Sequence, residues 1–355
     1  MPPGLDGKYT SGRRRPSIFR KPHHRASLPI GLIILAIIIA LFALVQPSQY
    51  FENPIDVNKI KVPTVTPSAT PLPFPTDVHG GHIVFTCTRN SINQICIINA
   101  DGSGYKQLTD NNTNTYYPAI SPDSKSVVYA VNQYDNFDLY SINLNDSKTT
   151  RLTNNIGNSF SPDFSPDGKQ ILFVNKTADG KSELWVMSSN GEKPHAIYTA
   201  TQNNAGQAKA IVGAAWSRDG NQIAFAMSVE HNFSYQVFVL NAKQPTQAPR
   251  QITQGVDDIG GSLAWSPDGT NILVYAGPVA AREIYRVEVA TGALTQLTFG
   301  GNNAAAAYSP DGQYIVYNSL RNNNQADLYI MRADGHSTRQ LTNFPEPDWQ
   351  PQWGP

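Results

Sequence analysis

Short hydrophobic runs alternate with polar turns along residues 79–355, and the same order of runs returns every 43 to 52 residues. One run is rich in β-branched and aromatic residues, and another, about ten residues later, reads polar, aliphatic, aromatic. Runs of this length between turn signals are typical of buried strands. Each repeat then closes on a fourth strand at Leu-Thr or a similar pair. The polar-aliphatic-aromatic runs are Asp138-Leu139-Tyr140, Glu183-Leu184-Trp185, Gln236-Val237-Phe238, Glu283-Ile284-Tyr285 and Asp327-Leu328-Tyr329.

A four-residue turn of the type Ser165-Pro166-Asp167-Gly168 precedes each first run. Proline presets φ for the second position of a type I turn, and glycine supplies the positive φ needed before a strand resumes. Copies or variants of this turn begin at residues 121, 165, 217, 266 and 309, which are 44, 52, 49 and 43 residues apart. A period of 40 to 50 residues built on hairpins indicates a β-propeller with one copy per blade.

The innermost strand of each blade is predicted just before this turn, where small residues lead to one large side chain, as in Ala264-Trp265. The first repeat lacks this strand, because nothing upstream of His82 supplies it. The matching segment is Asp348-Trp349-Gln350-Pro351-Gln352-Trp353, at the other end of the repeats. We therefore expect an all-β, six-bladed propeller closed by pairing of the C-terminal strand into the first blade, which satisfies two otherwise open sheet edges.

The repeated aromatic-Ser-Pro-Asp-Gly, followed by a buried strand and later by Asp/Glu-Leu-Tyr and Leu-Thr, resembles the WD40-like repeats of the TolB family's C-terminal propeller. Similar repeats occur in the propellers of the tricorn and prolyl-oligopeptidase families. The resemblance covers residues 79–355 and implies the propeller fold. It implies less about activity, because this fold carries binding modules, scaffolds and enzymes alike.

Three segments precede the propeller. Residues 1–27 form a basic tail with seven Lys or Arg and one Asp, a net charge of +6, whereas the whole chain has 27 bases and 27 acids. Residues 28–45 carry no charge and are long enough for a transmembrane helix. Residues 46–78 hold seven prolines, which favours an extended stalk. We therefore predict a single-pass signal anchor with the N-terminus in the cytoplasm and the propeller outside it.

Two alternatives concern these segments. The apolar stretch could be a cleaved signal peptide, although it exceeds the usual length and no strong small-x-small site follows it. The basic tail could bind nucleic acid, but a membrane segment follows at once, so we interpret it as the positive-inside signal and predict no nucleic-acid partner.

The chain has two cysteines, Cys87 and Cys96, on the second and third strands of the first blade. If the strands pair symmetrically about their loop, the two residues lie opposite one another and within disulfide reach. Outside the cytoplasm such a bond persists. The alternative is a pair of free thiols in the core.

The loops between blades and between second and third strands form one face of the ring, which we call the loop face. The turns of the Ser-Pro-Asp-Gly type lie on the other face, where the stalk joins, so the loop face is expected to point away from the membrane. Recognition usually resides in loops on a rigid scaffold. The candidate binding residues on this face are Tyr116, Tyr117, Asp257, Asp258, Asp348 and Trp349.

Catalytic chemistry is not evident in the sequence. There is no Gly-x-Ser-x-Gly motif, the histidines lack metal-ligand spacing, and no calcium loop is complete, so we predict no catalytic residues, cofactor or metal. The favoured hypothesis is a membrane-anchored, extracytoplasmic scaffold that binds an envelope protein, a peptide or a cell-wall component. The alternative is a propeller lyase or hydrolase with its site at the axial channel, where Asp163 and Gln352 are the exceptional polar residues.

Overall fold

The computed structural model describes residues 78, 80–134, 136–201, 209–229, 234–256, 258–321 and 325–355. These residues form 24 β-strands. The strands are β1 (His82–Arg89), β2 (Ile92–Asn99), β3 (Lys106–Gln107), β4 (Thr115–Ile120), β5 (Ser126–Gln133), β6 (Asn136–Asn143), β7 (Thr149–Arg151), β8 (Asn158–Phe164), β9 (Gln170–Lys176), β10 (Ser182–Ser188), β11 (His195–Thr199), β12 (Ile211–Trp216), β13 (Gln222–Ser228), β14 (Tyr235–Asn241), β15 (Arg250–Gln251), β16 (Ala264–Trp265), β17 (Asn271–Ala276), β18 (Glu283–Glu288), β19 (Leu294–Gln296), β20 (Asn303–Tyr308), β21 (Tyr314–Ser319), β22 (Asp327–Arg332), β23 (Arg339–Gln340) and β24 (Asp348–Gly354).

Six antiparallel four-stranded sheets make up the ring, so the six-bladed prediction is confirmed. Blade 1 contains β24, β1, β2 and β3 in that order, and each later blade takes four consecutive strands, from β4–β7 in blade 2 to β20–β23 in blade 6. In blade 1, Trp353 of β24 lies opposite Ile83 of β1, and Asp348 lies opposite Cys87. The C-terminal strand therefore closes the ring.

The Ser-Pro-Asp-Gly turns hold their shape through the serine and aspartate side chains. The Ser165 hydroxyl donates to Asp167 Oδ1 at 2.7 Å and accepts from the backbone N–H of Gln170 at 2.9 Å. The Ser165 hydrogen bond holds the pKa of the Asp167 carboxyl below its ordinary value. Gly168 has a φ of +69°, as the pattern predicts, and at the variant turn Ser124 takes a φ of 55°.

The Leu-Thr pairs differ from their predicted role, because most fourth strands end just before them. β7 ends at Arg151, and Thr153 instead caps the sheet: its hydroxyl accepts from Leu139 N and donates to Asp138 Oδ1, both at 2.8 Å. The same link joins the threonine to the first residue of the polar-aliphatic-aromatic run in blades 1, 4 and 5. The Leu-Thr pair and the polar-aliphatic-aromatic run of a blade thus form one buried, hydrogen-bonded unit.

Cross-strand aromatic pairs fill the middle of most blades. Tyr129 stacks on Tyr140 with ring centroids 6.3 Å apart, and Tyr317 stacks on Tyr329 at 5.9 Å. In blade 1 the corresponding pair is Phe85 and Cys96. Offset stacking of this kind adds to the free energy of burial.

Cys96 forms a disulfide with Cys87, and their Cα atoms are 5.9 Å apart. A symmetric loop predicts that the two cysteines lie directly opposite one another, but they do not. Cys87 lies opposite Gln94, and Cys96 lies opposite Phe85. The reason is the turn, in which only Asn90 and Ser91 connect the strands, both with positive φ. The hairpin centre is shifted by one residue, so the cysteines meet diagonally on one face.

The predicted tail, membrane helix and nearly all of the stalk, residues 1–77, lie outside the described residues. Within the part of the chain that the structure describes, no helix has the length and apolar character needed to span a bilayer.

Candidate binding site

A cavity of about 630 Å³ opens on the loop face, and we call it the funnel. Its walls come from blades 1, 2, 4, 5 and 6, so it surrounds the axis of the ring. Irregular inner strands shape it: Tyr117, Ala305 and Gln350 have φ values of 54°, 50° and 49°, and the pairing register shifts beside each of them. Bulges of this kind redirect side chains and are frequent next to functional sites.

Aromatic rings of blade 2 form one part of the funnel wall, and Phe160 of blade 3 packs against them. Tyr116 and Tyr117 line the funnel, with Phe137 5.8 Å from the Tyr116 ring and Phe160 6.1 Å from the Tyr117 ring. Burial raises the pKa of Tyr117, so its phenol stays protonated at neutral pH. Trp349, from β24 of the neighbouring blade 1, also lines the funnel.

Tyr275 and Arg282 of blade 5 form the cationic part of the wall. The Arg282 guanidinium carbon lies 5.3 Å from the centre of the Tyr275 ring. Gly260 packs directly against this side chain, since a Cβ at Gly260 would come within 1.7 Å of Tyr275 Cζ. Only a residue without a side chain therefore fits beside Tyr275 at this position.

The sequence-predicted residues separate into three groups. Tyr116, Tyr117, Asp258 and Trp349 all line the funnel. Asp257 lies outside the described residues. Asp348 is fully buried, not on the surface, and its Oδ1 pairs with Arg89 Nη1 at 3.3 Å.

Asp348 belongs to the closure of the ring. Arg89 also stacks on Phe344, with its guanidinium carbon 4.6 Å from the ring centre. The Glu346 carboxylate accepts the backbone N–H groups of Asn90 and Ser91, both at 2.9 Å. The segment leading into β24 is thereby fastened to the β1–β2 hairpin.

Sequence reasoning missed Asn93, Tyr235 and Arg282, which also line the funnel. Each immediately precedes the polar-aliphatic-aromatic run of its blade. Superposing the repeats would have shown that this position faces the axis, whereas the residue types alone differ too much to reveal it.

The channel on the turn face is narrower, with a volume of about 170 Å³, and polar side chains bridge its inner strands. Gln352 Nε2 donates to Asp163 Oδ1 at 3.1 Å, while Gln352 Oε1 accepts from Ile120 N at 2.7 Å. The second oxygen of Asp163 accepts from Trp216 N at 2.8 Å. Burial raises the pKa of Asp163 to about 6, against these hydrogen bonds and the charge of Arg218. The two residues thus connect β24, β4, β8 and β12.

The loop face exposes apolar side chains, of which Val279 also lines the funnel. Tyr134, Phe299 and Val279 are 103%, 75% and 68% exposed, the highest values among the large hydrophobic residues described. They lie in the β5–β6, β19–β20 and β17–β18 loops, all on the loop face. Within the described ranges, no group of three or more His, Cys, Asp or Glu side chains is arranged to hold a metal ion.

A family model described as the TolB beta propeller domain matches residues 52–214 and again residues 194–355. An uncharacterized protein of Agrobacterium fabrum, Atu1656, is 32% identical over 140 residues, which are 39% of this chain and 46% of that protein. The Tol-Pal system protein TolB of Anaeromyxobacter dehalogenans is 36% identical over 92 residues, 26% of this chain and 21% of that protein. The chain therefore spans less than half the length of these curated relatives.

Solved structures share the fold at lower identity. TolB from Acinetobacter baumannii gives a TM-score of 0.64 at 22% identity over 78% of this chain and 67% of that one. An oligogalacturonate lyase in complex with manganese gives 0.53 at 14% identity over 75% of this chain and 74% of the lyase. At these identities the likeness concerns the fold alone, and enzymes are among the similar propellers.

Proposed function

Because this chain belongs to the TolB β-propeller family, we propose that it is a binding scaffold whose loop face holds a protein partner. We further propose that residues 28–45 anchor it in the cell membrane with the propeller outside the cytoplasm. The partner is then a protein of the cell envelope. The relatives of this chain include Tol-Pal system proteins named TolB, which match part of its propeller. This similarity supports an envelope protein as the partner.

The funnel and the exposed apolar side chains of the loop face carry the proposal. Aromatic residues and Arg are enriched at protein interfaces, and exposed apolar side chains mark contact surfaces. Here Tyr116, Tyr117 and Trp349 line the cavity, while Tyr134 and Phe299 are exposed in loops of the same face. The turn face lacks such side chains in its described Ser-Pro-Asp-Gly turns, which expose Asp and Lys instead.

Anchoring is supported by the sequence of the N-terminal segments. The uncharged stretch of 18 residues at 28–45 follows a tail with a net charge of +6. Basic residues next to an apolar span stay on the cytoplasmic side. The Cys87–Cys96 disulfide fits an oxidising compartment, where such bonds persist.

The alternative, an enzyme with its site in the axial channel, has less support. Asp163 is the one carboxylate among the described residues that line the channel on the turn face. Both of its oxygens accept hydrogen bonds that join neighbouring blades. A structural role accounts for this carboxylate, so we do not propose a reaction.

Site-specific cross-linking in living cells tests the binding proposal. A photoreactive phenylalanine analogue placed at Tyr134 or Phe299 of the full-length chain is expected to give a discrete adduct with an envelope protein. The same analogue at Lys169 or Lys125, which are exposed on the turn face, is the matched control and should give none.

Adducts of equal yield from both faces would contradict a specific loop-face site. Alkali extraction of the same membranes tests the anchor separately. The chain should stay with the membrane, and deletion of residues 28–45 should release it.

A further inference from the structure

Arg282 brings an uncompensated cation to the wall of the funnel. Its Nε is buried and has no hydrogen-bond partner, and Arg282 makes no ion pair with any described residue. Its backbone is nevertheless fixed on both sides, because its N–H donates to Asn302 Oδ1 at 3.2 Å and its carbonyl accepts from Asn303 N at 2.7 Å. The backbone of Arg282 is therefore fixed, while its guanidinium group forms no ion pair with a described residue.

Other arginines that contact rings in this propeller do have polar partners. Arg89 pairs with Asp348, and Arg321 donates to the Tyr317 hydroxyl at 2.8 Å. A buried donor without a partner is destabilising, and more so when the group is charged. Such a cost is sustained at sites where a ligand supplies the missing acceptor.

We propose that Arg282 binds a side-chain carboxylate of an acidic peptide segment that enters the funnel, an assignment that rests on the proposed function of the loop face. The planar guanidinium presents paired donors that match the two oxygens of a carboxylate. Tyr275, held against Gly260, supports the guanidinium from one side through its ring. The aromatic wall of Tyr116 and Tyr117 then contacts the apolar neighbours of the acidic residue.

A peptide fits this site better than an acidic polysaccharide. Val279, in the funnel wall, is 68% exposed and offers methyl groups where a sugar would need hydrogen-bond partners. Asp258 lines the same cavity and would repel a second carboxylate of a polyuronate chain. One cation and one anion in the wall select a single carboxylate in an otherwise uncharged or mixed segment.

The test uses the full-length chain, immobilised in detergent, and three pools of acetylated and amidated nine-residue peptides. The pools share degenerate uncharged flanks and differ only in a central Glu, Gln or Lys. The Glu pool should be retained about 10- to 100-fold better than the Gln pool, the range expected for a charged hydrogen bond. The Lys pool should be retained least, and high salt should reduce the difference.

Arg282→Met should abolish the Glu preference, and Arg282→Lys should keep part of it, because the charge remains while the paired donors are lost. Arg286→Met is the matched control, since Arg286 lies on β18, the strand that begins directly after Arg282, but outside the funnel, and should keep the full preference. If the thermal melt shows that Arg282→Met does not fold, the proposal is tested by the retention of the three pools on the wild-type chain and on Arg282→Lys.

Equal retention of the Glu and Gln pools by the wild-type chain would overturn the role of Arg282. The cross-linking result at Tyr134 and Phe299 would stand independently, so the proposed function fails only if those adducts are absent. Tetragalacturonate serves as a further probe. Retention of this sugar that depends on Arg282, without a Glu preference, would overturn the peptide assignment.

Discussion

Gln352→Glu is the most direct test of how the ring closes. The substitution keeps the size of the side chain but replaces the Nε2 donor with an oxygen. That oxygen then faces Asp163 Oδ1 across 3.1 Å at the partly buried wall of the channel on the turn face. Two carboxylates at this distance cannot both stay ionised without a large penalty.

The size of the stability loss depends on whether both carboxylates stay ionised or one of them binds a proton. Repulsion between two unit charges about 3 Å apart at an effective dielectric constant of about 20 is roughly 5 kcal/mol. Binding a proton is the cheaper route: with the pKa of Asp163 at about 6, protonation at pH 8 costs about 3 kcal/mol. We therefore expect the variant to lose about 3–5 kcal/mol at pH 8, and clearly less at pH 5, where the proton is readily available. Domains of ordinary stability have only about 5–15 kcal/mol in total.

A second substitution should reverse the loss. In Asp163→Asn alone, the new amide has only one oxygen in place of two. Whichever way it is oriented, its NH₂ group faces another donor, either Gln352 Nε2 or the Trp216 N–H. In the double variant the amide at position 163 donates to the carboxylate at position 352 and accepts from Trp216. The other carboxylate oxygen still accepts from Ile120 N, as the glutamine does.

The assay is urea unfolding of the four full-length proteins in detergent, at pH 8 and pH 5, followed by tryptophan fluorescence. The double variant should be more stable than the sum of the single losses by about 2 kcal/mol or more. Additive losses at pH 8, or a Gln352→Glu loss that is unchanged at pH 5, would refute the contact and with it the bridge from β24 to blade 3.

Three further predictions concern the repeat and the seam. Replacing Cys87 and Cys96 together by Ser should lower the free energy of unfolding by about 2–3 kcal/mol in the chain-entropy model, whereas reducing agent should have no effect on that variant. Thr153→Val should cost about 1–3 kcal/mol in chemical denaturation, because Asp138 and Leu139 lose their shared partner, while Thr150→Val on the exposed fourth strand should cost less than about 0.5 kcal/mol. Burial, opposed by the Thr342 hydroxyl and by Arg89, raises the pKa of Asp348 from 3.8 to about 6, so its contribution to stability is present below about pH 4 and is lost as pH rises through 6. Asp348→Asn should accordingly reduce the fall in stability between pH 4 and pH 6 by up to about 1.4 kcal/mol per pH unit, and an unchanged slope would contradict this assignment.

The ring could be predicted from the sequence because its determinants are local and repeated. Pro166 and Gly168 specify a turn by their own backbone preferences, and five variants of one turn mark five of the six blades. Closure could be predicted because the first repeat lacks an inner strand and the segment from Asp348 to Trp353 matches one. The predicted ends of most fourth strands lie too far along the chain. Thr153, for example, resembles a strand residue until its hydrogen bonds to Asp138 and Leu139 are known.

The candidate site was predictable only in part. Tyr116, Tyr117 and Trp349 stand out as aromatic residues near inner strands, and they do line the funnel. Arg282 could not be recognised, because its importance depends on having no counter-charge, which is a property of its surroundings in three dimensions. Asp348 was misplaced for the same reason: a polar residue at the start of a strand is usually exposed, but Arg89 accommodates its charge inside.

The pairing of β24 with β1 has a consequence for the timing of biogenesis. The two contact residues Arg89 and Asp348 are 259 positions apart, so β1 emerges from the ribosome long before its neighbour exists. At about 5–20 residues per second this interval lasts roughly 13 to 50 seconds. Meanwhile the β1–β2 hairpin can already be cross-linked, because its cysteines are only 9 positions apart. The edge of β1 in this hairpin therefore stays without its neighbouring strand until translation has passed residue 354.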